Sequence, residues 1–88
     1  MALAAMNRTV YENRLVRSWL PAIPGVPEKL RDGGRALDVG CGLGIVSIAL
    51  ARAFPQAVIT GLDVDLRSIE LARAEADRAG VAVDFVAQ

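Results

Sequence analysis

The stretch Leu37-Asp38-Val39-Gly40-Cys41-Gly42-Leu43-Gly44 decides how this chain folds. Arg35 to Val39 (RALDV), which leads into it, is a short run ending in glycines, the mark of a buried strand feeding a tight turn. Behind it, Ile45 to Phe54 (IVSIALARAF) has no breaker until Pro55, and only Ser47 and Arg52 are polar. That length and composition predict a helix covered on most sides. A strand before and a helix after give a glycine loop its meaning. Gly40 can supply the tight turn, and Gly42 can bring the backbone close to a ligand because no Cβ intervenes. Gly44 opens the helix, whose free N–H groups present partial positive charge to a polar or anionic group in front of them.

Working outward from the loop, Val58 to Leu62 (VITGL) is a continuous run rich in β-branched residues that predicts a second buried strand. Leu66 to Ala79 predicts an amphipathic helix, with Leu66, Ile69, Ala72, Ala76 and Ala79 on one stripe. Glu70 with Arg73, and Glu75 with Arg78, sit three apart on its wet side. Asp65 is placed to cap that helix and Gly80 to end it. Val81 to Ala87 (VAVDFVA) predicts a third strand. On the other side of the loop, Met1 to Leu20 predicts a helix with Tyr11, Leu15 and Trp19 on its apolar stripe. Pro21 stops it, Pro21 to Pro27 is a rigid connector, and Glu28 to Arg31 is at most one short helical turn before the turn at Asp32-Gly33-Gly34.

Strands alternating with helices imply a parallel sheet with right-handed crossovers. The β-α-β-α-β series is one half of a doubly wound α/β fold, with expected strand order 3-2-1, preceded by a helix. The expected division is residues 1–34 as N-terminal helix and connector, and residues 35–88 as a partial binding domain.

Composition narrows the chemistry. The 88 residues allow one small domain. Ten basic and ten acidic residues balance and are scattered, so no basic stripe marks a nucleic-acid partner. Cys41 is the one cysteine, which excludes an internal disulfide and a multi-thiolate metal site. There is no histidine, so the commonest general base and metal ligand are missing. The charged residues Arg8, Glu12, Arg14 and Arg17 interrupt any signal-peptide pattern, and no apolar run is long enough for a membrane span. A cytoplasmic setting with no membrane partner is the expectation.

Two acids turn the loop into a candidate site. Asp63 ends the second strand roughly 20 residues after the loop, where a carboxylate accepts hydrogen bonds from both hydroxyls of an adenosine ribose. Val64 follows it, apolar and able to lie against an adenine face. No arginine follows directly, which disfavours a 2′-phosphate and hence NADP. A dinucleotide loop of the form G-x-G-x-x-G/A would need a small residue where Ile45 stands, so an NAD-dependent oxidoreductase is the weaker reading. The pattern here is D-x-G-x-G-x-G, from Asp38 through Gly44.

The segment ALDVGCGLG…VITGLDVD resembles motif I and the following acidic motif of the class I S-adenosylmethionine-dependent methyltransferases. The resemblance implies a Rossmann-like domain, S-adenosylmethionine as cofactor, and Asp38 as the residue that meets the methionine amino group, directly or through water. An ammonium favours a neighbouring carboxylate, whereas a pyrophosphate would be repelled by one. The cofactor residues it implies are Asp38, Gly40, Gly42, Gly44, Asp63 and Val64, with no metal. Trp19-Leu20-Pro21, Gly25-Val26 and AFPQAVITGLDVD…SIELARAEADRAGV are similar to methyltransferase-like proteins that carry a winged-helix segment before the catalytic domain.

That fold continues with a fourth strand and the wall facing the methyl acceptor, so the family's catalytic residues have no positions here and the acceptor is unknown. The chain alone is therefore expected to be inactive. Its alternatives are a truncated, non-catalytic fragment or an interaction module. Arg35–Val39 would be an edge without the fourth strand, open to self-association.

Overall fold

The local patterns resolve into three helices and three strands in a computed structural model that describes residues 22–88. They are α1 (Val26–Arg31), β1 (Arg35–Val39), α2 (Ile45–Ala53), β2 (Val58–Asp63), α3 (Leu66–Ala79) and β3 (Asp84–Ala87). The helix expected over Met1–Leu20 lies outside the described residues. α1 is longer than the single turn read from Glu28–Arg31, because Pro27 supplies a helical φ in its first turn. Phe54 caps α2, its N–H bonded to the Leu50 carbonyl at 2.8 Å. Asp65 caps α3 by accepting from the Arg67 N–H at 3.2 Å, and Gly80 ends it at φ 71°.

Both strand pairs are parallel: Arg35 to Val39 run beside Val58 to Leu62, and Thr60 to Asp63 beside Asp84 to Ala87. Counted from the first strand the order is β1-β2-β3, in place of the expected 3-2-1. The correction concerns the edge from which the strands are counted, since β2 lies between the other two in either notation. β3 is shorter than the expected Val81–Ala87. The Val81 N–H closes the end of α3 on the Ala76 carbonyl at 3.1 Å, and pairing with β2 starts only at Asp84. Val81, Val83 and Phe85 pack inward while Ala82, Asp84 and Val86 are exposed, but backbone pairing begins only at Asp84.

Two successive crossovers of the same hand, stepping in the same direction, put both connecting helices on one face of the sheet. That face holds the core. Leu30 of α1, Leu50, Ala51 and Phe54 from α2, and Ile59 of β2 form one cluster. Ile48 of α2, Ile69, Ala72 and Ala76 of α3, and Phe85 of β3 form the other. Leu66, expected on the buried stripe of α3, is exposed, because it sits at the first position of the helix, at the rim of the sheet. The opposite face carries Leu37, Val39 and Val86, with Val39 73% exposed.

The two outer edges of the sheet differ. Arg73 of α3 donates to the Phe85 carbonyl at 2.7 Å and so covers one acceptor of β3. Glu75 and Arg78 form the expected pair along α3 at 2.9 Å. Among the described residues, β1 pairs with β2 alone.

Candidate functional site

In an open parallel sheet the crevice beyond the carboxyl ends of the strands is where ligands bind, and all six candidate residues fall there. Cys41 continues the β1–β2 ladder past the end of β1, its N–H donating to the Leu62 carbonyl at 2.8 Å. The chain then turns. The Gly44 N–H closes the turn on the Cys41 carbonyl at 2.9 Å, and Ile48 makes the first helical bond back to Gly44 at 2.8 Å. The N–H groups of Ile45, Val46 and Ser47 lie ahead of that bond, at the positive end of α2.

The three loop glycines separate by role. Gly40 and Gly42 have φ of 70° and 55°, and a Cβ built on either would meet nothing within 4 Å. Their backbone borders open space, as close approach of a ligand requires. Gly44 has φ 81°, and its Cβ would stand 2.6 Å from Cζ of Phe85 and 3.1 Å from Cβ of Ala72. The Phe85 ring occupies the space that a side chain would fill, so Gly44 is a packing glycine as well as the residue that opens α2.

Asp38 and Asp63 are held in different ways. Asp38 is half-buried on the helix-covered face of β1, and its Oδ2 accepts from Ser47 Oγ at 2.8 Å. Asp63 stands at the end of β2, where Oδ1 accepts from the Asp65 N–H and Oδ2 from the Gly42 N–H, both at 2.9 Å. Those N–H groups, Asp65 first and then Gly42, hold the Asp63 carboxyl below its ordinary value. A carboxylate has about four acceptor directions, so these two bonds leave Asp63 able to accept from a ligand's hydroxyls. Val64 follows with 86% of its surface exposed, on the rim.

Cys41 lies between the two acids. Burial pushes its thiol up from the ordinary value, and the charges of Asp38 and Asp63 push the same way. The thiol is therefore neutral at pH 7, and it packs partly buried against the cluster around Ile48 and Phe85. Among the described residues no group of three potential ligands could hold a metal ion, and no helix is long and apolar enough to cross a membrane.

Sequence reasoning missed three contributors. Ser47 carried a weak signal, as the one small polar residue inside an apolar helical run. Gly61, in the interior of β2, carried a better one, since a glycine within a strand marks close approach. A Cβ there would meet Phe85 Cδ1 at 2.7 Å and Cys41 Sγ at 3.1 Å. Phe85 itself gave no signal, because its reach under the loop depends on the strand pairing.

The model of the methyltransferase small domain family matches residues 23–88, and the chain belongs to that family. Over 53 residues it is 45% identical to the ubiquinone biosynthesis O-methyltransferase of Actinobacillus pleuropneumoniae serotype 5b (strain L20), covering 60% of this chain and 22% of that protein. It is 40% identical over 55 residues to the ribosomal RNA small subunit methyltransferase C of Stutzerimonas stutzeri (strain A1501), covering 62% of this chain and 17% of that one. Among solved structures, PKMT2 from Rickettsia typhi in complex with AdoHcy superposes with a TM-score of 0.59 at 28% identity. That match covers 65% of this chain and 11% of that one. The chain thus spans about a fifth of the length of the first of these curated relatives.

Proposed function

We propose that this chain supplies the S-adenosylmethionine-binding part of a methyltransferase. The observation that carries the reading is the open backbone of Gly40 and Gly42, flanked by a half-buried carboxylate at the end of β1 and a rim carboxylate at the end of β2. That set fits the cofactor: Asp38 offers a negative charge to the methionine ammonium, the two glycines admit the chain joining it to the nucleoside, and Asp63 accepts from the ribose hydroxyls. Val64 offers an apolar rim to adenine. When bound, the cofactor's sulfonium supplies an activated methyl group, and the protein's part is binding, orientation and shielding. The two relatives named above differ by name in what they serve, ubiquinone biosynthesis in one and ribosomal RNA in the other. The acceptor is therefore set by residues outside this glycine loop.

Calorimetry of the 88-residue chain with S-adenosylhomocysteine and with NAD tests the reading. Binding of the former and not the latter is expected. Tighter binding of NAD would overturn the assignment, because the same loop would then be gripping a pyrophosphate. The cytoplasmic setting belongs to this proposal, and fractionation of cells expressing the chain checks it.

The edge of β1 supports a second element of the proposal, self-association. β1 pairs with β2 alone among the described residues, and Leu37 and Val39 are exposed beside that edge. An unpaired strand edge next to apolar surface templates pairing with another chain. Sedimentation velocity at increasing concentration is expected to show association, and a monomer throughout would remove this element.

A further inference from the structure

Among the described residues, Ser47 is the one polar side chain fully withdrawn from water, at 0% exposure, in a helix whose other buried positions are Ile, Ala and Leu. Alanine suits a helix interior better than serine, so the hydroxyl calls for a reason in its surroundings. It has one: Oγ donates to Asp38 Oδ2 at 2.8 Å, linking α2 to the end of β1. From this geometry we infer that Ser47 is a positioning residue, which fixes the Asp38 carboxylate for the α-amino group of the cofactor's methionine part. The inference deepens the cofactor reading above and rests on it.

A carboxylate near a strand end can turn about its side-chain torsions, and each turn moves its charge relative to the loop. A donor packed in the core holds one oxygen still and leaves the other to accept from a ligand. The donor's neutrality matters as much as its position. A lysine or arginine in the same place would orient Asp38 equally well but would cancel the charge that the ligand's ammonium needs. A hydroxyl orients without cancelling. Ser47 also sits in the first turn of α2, which grows directly from Gly44, so donor, carboxylate and glycine backbone are fixed to one another.

The test compares two ligands. S-adenosylhomocysteine carries the amino acid part, whereas 5′-methylthioadenosine keeps the adenosine and thioether and lacks it. Ser47→Ala is expected to weaken S-adenosylhomocysteine about tenfold, the scale of a hydrogen bond to a charged group. Affinity for 5′-methylthioadenosine should stay unchanged. In an Asp38→Asn background the same substitution should have little further effect, because the two residues act as a unit. Ser47→Cys fills the same space with a poor donor and should repeat the selective loss, which covers the case of an unstable alanine variant. Equal losses for both ligands, or no loss for either, would make Ser47 a packing group and overturn the inference. If the unsubstituted chain binds neither ligand, the cofactor reading itself fails, a different outcome from the selective loss.

Discussion

The front and the rear of the glycine loop look alike in sequence and behave differently in space. Gly40 and Gly42, at the front, border open space, and the chain between and after them is tied to the sheet by the Cys41 N–H on the Leu62 carbonyl and by Asp63, which holds the Gly42 N–H. Gly44, at the rear, is pressed against Phe85 and Ala72 and starts a helix with six buried residues. All three take left-handed φ, so backbone conformation alone does not separate them. What separates them is the neighbour that a Cβ would meet. A side chain added at the front meets no neighbour, whereas one added at the rear is driven into the core.

The strongest way to break this comparison is to place the same side chain at both ends of the loop. Gly44→Val adds a β-branched residue at left-handed φ and drives it into the Phe85 ring. Strain and overpacking together are expected to cost about 2–5 kcal/mol, comparable with the whole stability of a domain this small. Thermal melting should show the cooperative transition lost or far lowered. Gly42→Val carries a similar backbone penalty of about 1–2 kcal/mol but meets no neighbour. Its circular dichroism should stay near that of the parent while S-adenosylhomocysteine binding disappears. Global unfolding of Gly42→Val, or a well-folded Gly44→Val, would erase the distinction.

Two smaller effects sharpen it. Asp63→Ala removes the acceptor of the Gly42 N–H as well as the proposed partner of the ribose. Binding should weaken roughly tenfold, and hydrogen exchange at Gly42 should speed up even without ligand. Protection unchanged at Gly42 would mean that the tie does not hold the loop in solution. The pH dependence is the smallest expected signal. The native state lowers the Asp63 carboxyl from its ordinary value of 3.8, so it favours the ionised form. The stability this contributes is fully present above that value and is lost as pH falls through the lowered native one. Stability to denaturant, measured from pH 5 downward, should therefore fall more steeply for the parent than for Asp63→Asn.

Much of this arrangement was legible along the chain. Arg35–Val39 and Leu66–Ala79 are found at their expected bounds, because strand and helix periodicity and the caps Asp65 and Gly80 are local features. The site was legible where it depended on backbone freedom and charge, as with the glycines, Asp38 and Asp63. It was not legible where roles depended on contacts distant in sequence. Gly44 meets Phe85, Gly61 lies between Phe85 and Cys41, and Arg73 turns to the Phe85 carbonyl. One aromatic ring from the last strand thus sets the function of two glycines, and no window of sequence contains all three.

The sequence by itself determined the order of elements, the parallel α/β class and the acid-flanked glycine loop at a strand-to-helix junction. Each of these follows from torsional preference, hydrophobic period or charge within a few residues. The tertiary structure alone decided which glycine faces open space and which is packed, that Asp63 spends part of its carboxylate on the loop, and that a buried serine holds Asp38. The physical reason is that parallel pairing of β1, β2 and β3 brings residues from three separate segments to one end of the sheet. Only there do a missing Cβ, an aromatic ring and a hydroxyl acquire neighbours, and with them a role.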